Sequence, residues 1–404
     1  MRFLFADPGL LWHWSHHANT CRLISGALRA RGIEPEILAF QEVDAELQSE
    51  LGAKPHFKFF TYAGNPDPIC GWLNAFDKNL DLMMEGMSRI GPTSAEDVVF
   101  VNSAQAAVFL GTGLWLSGLS PKERPQVVLE FGTDPGVEAV PAGKGHTLIA
   151  RDPRIDARGV LNRFAASNLP RNILSHFHPA TFDADSSSTF SALMGIPVAV
   201  LPLPHVAVVP PRLRGTKSPT TVAVVGHQRW DKGYQHLPQI VQHVLKSHPQ
   251  TRFLLHNAKP QDMPEVHAEL SRLAATEPRI VMVSGPAIWS ELLEAADIIL
   301  CPYDPTQFIA SYSSVTAHAI ASGIPMVVPA GTTLSRTLND FGAGGTAFDR
   351  FTPDAIALAV GKTLDGIAEY AQRALTGAEQ WARINGPTQT VDAIFKMARP
   401  TAGL

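Results

Sequence analysis

Three stretches of the sequence carry residue types that can bind phosphate or transfer protons, namely residues 11–19, 226–233 and 302–314. The first combines three histidines with two tryptophans, and the second places Arg229 and Lys232 between two glycines. The third is rich in aromatic and hydroxyl side chains. Imidazole exchanges protons near neutral pH, and arginine or lysine forms charge-assisted hydrogen bonds with phosphate oxygens. The sequence therefore points to an anion-binding site with groups that can assist proton transfer.

The stretch around Lys232 has the form of a phosphate-binding turn. An apolar run at 222–225 leads into Gly226, and a helical pattern begins after Gly233. Backbone N–H groups at the start of a helix attract anions, and Arg229 and Lys232 would add positive charge. An ordinary solvated turn between a strand and a helix gives the same pattern, so this stretch alone leaves both interpretations open.

A second stretch strengthens the phosphate interpretation. A predicted strand ends at Pro302, and Tyr303 follows it. Ser313 stands at the N-cap of a predicted helix, with Ser314 and Val315 in the first turn. The first N–H groups of that helix have no partner inside the helix and can bind an anion. Two candidate phosphate sites thus follow neighbouring strands, and a diphosphate that bridges them is the simplest ligand.

The loop with histidine and tryptophan follows the first predicted strand. The face of Trp14 suits stacking on a sugar ring or an apolar tail. His16 and His17 are candidate catalytic residues, since either could donate to a phosphate or assist proton transfer. The alternatives are a structural role for each histidine, or a zinc site that lacks a cysteine or carboxylate ligand at a familiar spacing. We therefore expect no metal ion.

Polar residues also follow other predicted strands of the first half. Asn102 is a candidate for contact with an acceptor, and Glu130 is a candidate catalytic carboxylate. Asp134 lies in the same loop as Glu130, and either residue could instead serve as a turn or a cap. His176 and His178 are better explained as part of a surface turn.

Short apolar runs alternate with helical patterns along the chain, which is typical of parallel βα units. The first half predicts strands at 2–6, 36–40, 97–101, 127–131, 172–175 and 198–201, with helices at 19–31 and 104–116. The second half predicts strands at 222–225, 253–256, 280–283, 298–301 and 326–328, with helices at 236–247, 263–275, 290–296, 313–322, 353–364, 371–381 and 388–397. The carboxyl ends of parallel strands meet at one edge of a sheet, so the polar loops would gather there.

A polar segment rich in proline divides the chain into two α/β halves. We predict an N-terminal Rossmann-like domain at 1–205, a linker at 206–219, a C-terminal domain at 220–380 and a helical end at 381–404. Two such halves would face each other across a cleft, with ligands at the strand ends. No G-x-G-x-x-G follows the first strand, which argues against a Rossmann dehydrogenase.

The composition excludes several classes of protein. The chain has 404 residues, of which 45% are hydrophobic and 17% are charged, and its formal net charge is −4. These values exclude a disordered chain and argue against a strongly basic nucleic-acid binder. Three distant cysteines do not make a disulfide scaffold, and no apolar run is long enough to span a bilayer. Without a recognisable targeting signal, we expect a cytoplasmic protein and leave peripheral contact with the inner face of a membrane open.

The second half resembles the donor-binding domain of GT-B glycosyltransferases, in particular the retaining enzymes called family 4. Gly226, Lys232 and Gly233 match the spacing of the family motif G-R-x-x-x-x-K-G, with His227 at the arginine position. The resemblance covers roughly residues 220–365 well and the first half only in its architecture.

A second motif of the family supports the resemblance and also departs from it. Residues 318–327 match E-A-x-A-x-G-x-P-V-V except for the first glutamate, which is His318 here, and the first valine, which is Met326. The earlier glutamate of the family falls on Ala310, so both members of the usual glutamate pair are absent. A divergent branch carries P-Y-D-P, then an aromatic residue and a Ser-Gly helix start, and residues 302–314 resemble that form better.

The resemblance implies a GT-B fold and a retaining transferase that moves a sugar from a nucleotide-diphosphate donor to a glycan, a lipid-linked acceptor or a protein. It implies no metal and no cofactor, with UDP or GDP as the nucleotide and a role in polysaccharide or glycoconjugate biosynthesis. Lys232 would hold the diphosphate, Arg229 would replace the displaced arginine, and His318 would stand on the ribose side. The expected donor contacts are Gly226, Arg229, Lys232, Tyr303, Ser313, Ser314, Val315 and His318.

The first half would supply the acceptor contacts, with Trp14 and Asn102 as candidates, and the last helix would cross back to it. The missing glutamates keep a non-catalytic alternative open, in which a degenerate GT-B protein binds a nucleotide sugar or accompanies an active transferase. Another GT-B enzyme, such as a sugar-nucleotide epimerase, is a third interpretation.

Overall fold

The structure is a computed structural model that describes residues 1–62, 71–142, 145–215 and 218–399. Cys70, residues 216 and 217 of the predicted linker, and residues 400–404 of the predicted end lie outside the described residues. The chain forms two compact units. Unit 1 contains Met1–Pro204 and Pro387–Leu404, and unit 2 contains His205–Gly386.

Unit 1 is built on a parallel sheet of seven strands. The strands of unit 1, seven in this sheet and two in a separate hairpin, are β1 (Phe3–Asp7), β2 (Pro35–Phe40), β3 (Lys54–Phe57), β4 (Val98–Val101), β5 (Gln126–Glu130), β6 (Val137–Ala142), β7 (Gly145–Ala150), β8 (Phe177–Thr181) and β9 (Ala199–Val200). The sheet order is β3-β2-β1-β4-β5-β8-β9, while β6 and β7 form a separate antiparallel hairpin. Its helices up to residue 200 are α1 (His16–Arg29), α2 (Ala45–Leu51), α3 (Gly71–Ser88), α4 (Ala106–Gly118), α5 (Arg158–Ser167) and α6 (Ala184–Met194).

Unit 2 is a second parallel sheet, of six strands. Its strands are β10 (Thr220–Val224), β11 (Thr251–Asn257), β12 (Ile280–Ser284), β13 (Ile298–Leu300), β14 (Met326–Pro329) and β15 (Gly345–Phe348), in the order β12-β11-β10-β13-β14-β15. Its helices are α7 (Leu237–Ser247), α8 (Pro264–Thr276), α9 (Trp289–Ala295), α10 (Ser314–Ala321), α11 (Thr333–Asp340), α12 (Pro353–Asp365) and α13 (Ile367–Ile384).

Both sheets are doubly wound. In unit 1 the strand order reverses beside β1, which lies between β2 and β4, and in unit 2 it reverses beside β10. Strands with helices on both faces are buried on both sides and read as continuous apolar runs, as β1 and β4 do. In open α/β sheets, ligands bind at the carboxyl ends of the strands where the order reverses, which directs attention to the loops after β1 and β10.

The last helix, α14 (Pro387–Ala398), belongs to unit 1. The rings of Phe395 and Phe3 pack edge to face, with their centroids 5.9 Å apart. The Thr390 hydroxyl donates to the Pro202 carbonyl at 2.9 Å. The preceding helix α13 ends at Ile384, beyond the predicted boundary at 380. Trp381 holds this last turn in unit 2, since its side chain is buried there and its Nε1 donates to the His205 carbonyl at 2.8 Å. The division of the chain therefore falls after Gly386.

The predicted linker is part of unit 2 over its described residues. The guanidinium of Arg214 is buried and donates to the carbonyls of Glu294 and Ala296, at 2.9 and 3.1 Å. The polar composition that suggested a free linker thus reflects a segment packed beside α9. No helix in the described ranges combines the length and apolar character needed to cross a bilayer.

One predicted strand is wrong. Residues 172–175 lie in and after a single 3₁₀ turn, Arg171–Ile173, and the strand beside β5 is β8. The sequence of β8 is FHPAT, so His178 and Pro179 interrupt the apolar run that would have identified it. Several further elements lack a prediction, namely α2, α3, α5, α6, α11, β3, β6, β7 and β15.

Candidate functional site

In unit 2 the carboxyl ends of β10 and β13 bring together the two predicted phosphate loops. The strands pair in parallel with Val222 beside Ile298, so the two loops start side by side. The N–H of Asp304 donates to the carbonyl of Asp231 at 2.8 Å, which ties one loop directly to the other. The residues that the sequence singles out on each loop therefore lie at one edge of the sheet.

Two glycines allow this close approach. Gly233 has φ +69°, and a Cβ placed there would lie 1.8 Å from the Pro302 carbonyl oxygen. Gly226 has φ +107°, and Val315 of α10 is its nearest neighbour at 3.8 Å. Residues with a Cβ avoid this left-handed backbone region, so both glycines are required by the path of the chain.

Lys232 is the cation that this arrangement leaves for a ligand. Its side chain is partly buried, and its Nζ lies 5.3 Å from the centroid of the Tyr303 ring. Among the described residues its ammonium group forms neither a hydrogen bond nor an ion pair, whereas Arg229 binds Asp231 through two bonds of 2.9 and 2.7 Å. Burial, together with the positive charge of Arg229, lowers the pKa of Lys232 to about 8.

Tyr303 connects Lys232 to the start of α10. Its buried ring packs on Phe308 at 4.7 Å, and its hydroxyl lies beside the Ser313 hydroxyl and the Cys301 thiol. Burial raises the pKa of Tyr303 well above its usual value. The Ser313 hydroxyl caps α10 by accepting the N–H of Thr316 at 3.4 Å.

The first turn of α10 presents backbone donors beside these side chains. Ser314 and Val315 are its first two residues, and the N–H groups of a first turn have no partner inside the helix. The helix start, Lys232 and the glycine turn after β10 therefore form one region that can hold negative charge.

His318 is buried rather than displayed to a ligand. It is 6% exposed, its Nδ1 donates to the Val206 carbonyl at 3.3 Å, and its ring packs against His205 and Trp289. Burial lowers the pKa of His318 to about 4, so the imidazole is neutral at pH 7. His227, at the position of the family arginine, bonds Asp262 through Nε2 at 2.6 Å.

The sequence prediction missed His256, which shapes the turn after β10. Its Nδ1 accepts the N–H of Gly226 at 3.0 Å, and its Nε2 donates to the Gly285 carbonyl at 2.9 Å. The first bond requires a neutral imidazole, since a protonated Nδ1 cannot accept, and burial lowers the pKa of His256 in agreement with that state. A histidine at the end of a buried strand was the available signal.

In unit 1 the ends of β1 and β4 hold a buried polar cluster. The Nδ1 of His17 donates to the carboxylate of Asp7, at 2.9 and 2.8 Å from its two oxygens. Asn102 donates to the same carboxylate at 2.8 Å, and so does the N–H of Gly9. A Cβ on Gly9 would lie 2.3 Å from the His17 ring, so the imidazole packs directly against the turn.

This cluster changes the interpretation of two candidates. His17, a candidate catalytic residue, is buried. The side-chain amide of Asn102, a candidate acceptor contact, donates its hydrogen bond to Asp7. The Nε2 of His17 has no hydrogen-bonding partner among the described residues. The sequence prediction missed Asp7, whose signal was a carboxylate that closes an apolar strand.

Glu130 lies at the next strand end and is fully buried. Its Oε2 accepts the N–H of Ser103 at 3.0 Å, while Oε1 has no partner within the described part of the chain. Ser103 adopts φ +52°, a left-handed conformation that turns its N–H toward the carboxyl group. Burial raises the pKa of Glu130 to about 8, so the group is mostly protonated at neutral pH.

The exposed part of the first loop carries the remaining candidates. Trp14 stacks on Trp12 with ring centroids 5.3 Å apart, and it is 41% exposed. His16 is exposed at the start of α1, and His13 is bound to Asp44 at 2.9 Å. No group of three histidine, cysteine or carboxylate side chains converges as a metal site in the described ranges.

The other polar candidates of unit 1 have structural partners. Asp134 accepts the N–H of Gly136 at 2.7 Å, as a turn residue does. His176 and His178 bond the amide of Gln126, which lies at the amino end of β5. These two histidines therefore lie at the edge of the sheet opposite to Glu130.

Unit 1 also contains a cavity of about 530 Å³ beside the start of α4. Tyr62, Trp72 and Phe76 are among its walls, and Tyr62 lies 5.4 Å from the His17 ring. Its lining was not predicted, because it draws on residues that are more than a hundred positions apart in the sequence.

The sequence matches no family model and no curated protein. The structure is similar to that of Anabaena Alr3699/HepE in complex with UDP, with a TM-score of 0.63 and 14% identity over 98% of this chain and 99% of that chain. It is also similar to a glycosyltransferase from Rickettsia africae ESF-5, with a TM-score of 0.64 and 11% identity over 99% of both chains. A trehalose-6-phosphate synthase, OtsA, gives a TM-score of 0.68 and 10% identity over the full length of both. The predicted α/β fold of the GT-B type, with two Rossmann-like domains, is confirmed by these similarities.

Proposed function

We propose that this chain is a glycosyltransferase that uses a nucleotide-diphosphate sugar, with UDP or GDP as the nucleotide. Lys232 carries the proposal. It is a partly buried cation without an ionic partner among the described residues, at the carboxyl edge of a doubly wound sheet. A partly buried lysine forms a charge-assisted hydrogen bond with an anion that reaches it, and the diphosphate of a donor would be such an anion.

The surroundings of Lys232 support a diphosphate in particular. The first turn of α10 offers backbone donors, and its N-cap Ser313 lies beside the Tyr303 hydroxyl, so two phosphates could be held at once, one by Lys232 and one by the helix start. The donor contacts would come from Gly226, Lys232, Tyr303, Ser314 and Val315. Arg229 would join them only by leaving Asp231, and Ser313 would act through its cap on α10.

We further propose that transfer proceeds with retention and without a metal ion, as in the retaining enzymes of family 4, of which this chain would be a divergent member. A lysine and a helix start can stabilise a leaving diphosphate without a divalent cation. The HepE protein has been solved with UDP-glucose as well as with UDP, which supports UDP-glucose as the first donor to test.

Unit 1 would supply the acceptor side, for a glycan, a lipid-linked acceptor or a protein in polysaccharide or glycoconjugate biosynthesis at a cytoplasmic location. His16 is exposed at the start of α1 and would be the candidate for proton transfer. His17 and Glu130 would act from buried positions, through the shape and charge of the loops after β1 and β5.

One observation favours the second candidate, a nucleotide-sugar binder without catalysis. The ribose-side position of the family is filled by a buried neutral histidine, and the other glutamate position by the buried Ala310. A neutral imidazole accepts at most one hydrogen bond, so it would hold a ribose diol less firmly than a carboxylate does.

Calorimetric titration with UDP, GDP and UDP-glucose, followed by proton NMR of UDP-glucose turnover in excess chelator, tests the proposal. We expect nucleotide binding, and release of glucose that is first seen as the α-anomer. Binding without turnover would favour the non-catalytic candidate, and the β-anomer would contradict retention. Loss of turnover in chelator would contradict metal independence, and absence of nucleotide binding would overturn the proposal as a whole.

A further inference from the structure

The loop between β13 and α10 is held by the start of α11. The N–H of Thr333 donates to the Phe308 carbonyl at 3.1 Å, and the hydroxyl of Thr333 can donate to the carbonyl of Phe308 or to that of Ser311. The guanidinium of Arg336, one turn further along the helix, donates to the Ile309 carbonyl. Three carbonyls of one loop thus accept hydrogen bonds from two residues of a single helix.

Both partners of the bond between Thr333 and Phe308 gain from it. Thr333 is the first residue of α11, so its N–H has no acceptor inside the helix. Thr333 and Phe308 are buried, at 2% and 7% exposure, so water does not take the place of either group. A buried N–H or carbonyl that loses its partner lowers the stability of the fold. The loop therefore keeps the path that α11 sets for it.

The start of α11 is itself fixed to the sheet. Its N-cap, Thr332, is fully buried, and the Thr332 hydroxyl donates to the carbonyl of Pro329 at the end of β14, at 2.7 Å. The hydroxyl of Ser335 accepts the N–H of Thr332 at 3.2 Å, which completes a capping box. Because β14 pairs with β13, the helix start has a defined position relative to the strand from which the loop departs.

The two ends of this loop carry the region that can hold negative charge. The Phe308 ring packs on the Tyr303 ring at 4.7 Å, and the Lys232 ammonium group lies over that tyrosine. At the other end, Ser311 is two residues before Ser313, the N-cap of α10. A shift of Phe308 would therefore move the aromatic contact of the lysine, and a shift of Ser311 would move the start of α10.

We propose that Thr333 and Arg336 are positioning residues for the nucleotide diphosphate, which act through the backbone of the loop between β13 and α10 rather than by contact with the ligand. The Thr333 N–H steadies the side of the loop that carries Tyr303, and the Thr333 hydroxyl steadies the side that leads into α10. A site that is held in its binding conformation before the ligand arrives loses less conformational freedom on binding. This inference rests on the proposed function, since it needs a diphosphate ligand at these loops.

The test measures the UDP affinity of the full chain and of two variants at Thr333 by calorimetry. Thr333→Val keeps the shape of the side chain and the backbone N–H, but it removes the donor to the Ser311 carbonyl. We expect it to weaken UDP binding about twofold to tenfold, the range that corresponds to one hydrogen bond. Thr333→Ser keeps the hydroxyl and should bind UDP nearly as tightly as the natural chain.

Matched controls separate positioning from a general loss of stability. Thr363 on α12 is also buried, and its hydroxyl donates to the Ala359 carbonyl at 3.0 Å. Thr363→Val should lower the melting temperature about as much as Thr333→Val does and leave UDP affinity unchanged. Arg336→Met removes the donor to the Ile309 carbonyl and should also weaken UDP binding. Its control is Arg373→Met, at an exposed position on α13, which should not.

Equal UDP affinity in Thr333→Val, Thr363→Val and the natural chain would overturn the positioning role. A Thr333→Ser protein that binds UDP as weakly as Thr333→Val would overturn it as well. If Thr333→Val does not fold, the comparison of Arg336→Met with Arg373→Met decides, and equal affinities count against the proposal. If the natural chain binds UDP and the variants bind it equally well, the positioning role is wrong and the transferase proposal stands. A natural chain that does not bind UDP would overturn the proposed function instead.

Discussion

The ammonium group of Lys232 lies over the ring of Tyr303, with Nζ 5.3 Å from the ring centroid. The two residues belong to different loops, after β10 and β13. A cation over an aromatic face is attracted by the ring quadrupole. This contact stabilises the position of the Lys232 ammonium group in the absence of an anion. The aromatic contact thus holds the charge at the strand ends without neutralising it.

Replacement of Lys232 by methionine should weaken UDP binding at least tenfold. The variant keeps an unbranched apolar stem over Tyr303 and removes a charged hydrogen bond that contributes about 1.5–3 kcal/mol. Calorimetry measures the affinity. Lys246→Met on α7 is the matched control, because Lys246 is exposed and away from the loops. Equal affinity in a folded Lys232→Met protein would refute the diphosphate assignment.

UDP affinity should fall as the pH rises above 8. The pKa of Lys232 is lowered to about 8 by burial, so the free protein loses this charge as the pH passes through that value. A bound diphosphate favours the protonated lysine, and the affinity then decreases by up to about tenfold per pH unit above the pKa. Titrations between pH 7 and 9.5 measure this slope. The Lys232→Met variant should give a flat profile, and an equally flat profile for the natural chain would contradict the prediction.

Gly233→Ala should destabilise unit 2 more than Gly331→Ala does. Both glycines have positive φ, +69° and +71°. Each substitution should therefore lower the unfolding free energy by about 1–2 kcal/mol, because alanine is strained in the left-handed conformation. Only at Gly233 would the new Cβ also meet the Pro302 carbonyl, at 1.8 Å, while Gly331 faces open space. Denaturant unfolding of both variants gives the difference. Equal losses of unfolding free energy would mean that the loops after β10 and β13 can move apart at Gly233 without a loss of stability.

Asp7→Ala should cost about 2–6 kcal/mol of unfolding free energy, because it leaves two buried donors, on His17 and Asn102, without an acceptor, at about 1–3 kcal/mol each. Asp44→Ala removes the carboxylate that pairs with His13 at the surface, where the loss should be below about 1 kcal/mol. Denaturant unfolding measures both. Similar losses in the two variants would mean that the buried cluster is not held by its carboxylate.

Glu130→Gln should change the pH dependence of stability. The pKa of Glu130 is raised to about 8 by burial, so the folded state favours the protonated acid. This contribution is complete below the ordinary pKa near 4.5 and is lost as the pH rises toward 8, by at most about 1.4 kcal/mol per pH unit. Glutamine stays neutral and can still accept the N–H of Ser103.

The unfolding free energy of Glu130→Gln, relative to the natural chain, should therefore increase from pH 5 to pH 8. Glu42→Gln, at an exposed position, is the control and should show no such trend. A constant difference between Glu130→Gln and the natural chain over this range would mean that Glu130 is ionised in the folded protein.

The sequence was sufficient to bring the loops after β10 and β13 to one edge of the sheet, because the signals for these elements are local. Apolar strands, glycines and a serine cap each depend on a few neighbouring residues, and parallel strands bring their ends together. Bond partners are not local in the same way. Arg229 was a candidate for phosphate, but Asp231 two residues away engages it once the 3₁₀ turn forms.

The buried cluster of unit 1 was missed for a related reason. Asp7, His17 and Asn102 look like independent polar residues until the ends of β1 and β4 lie side by side. Nothing in the spacing tells a histidine that faces a ligand from one that faces a buried carboxylate. The cavity is still less visible, because Thr61, Trp72 and Phe190 come from segments far apart in the sequence.

The membership of α14 in unit 1 has a consequence for the order in which the chain can mature on the ribosome. Residues 1–204 leave the ribosome before unit 2 does. The contacts of Phe3 with Phe395 and of Pro202 with Thr390 can form only after all of unit 2 has been synthesised. Unit 2 is continuous in sequence and can complete its contacts as soon as Gly386 is free. The first half synthesised is thus the last to finish folding, and a ribosome that stalls before residue 387 would leave unit 1, rather than unit 2, exposed to proteolysis.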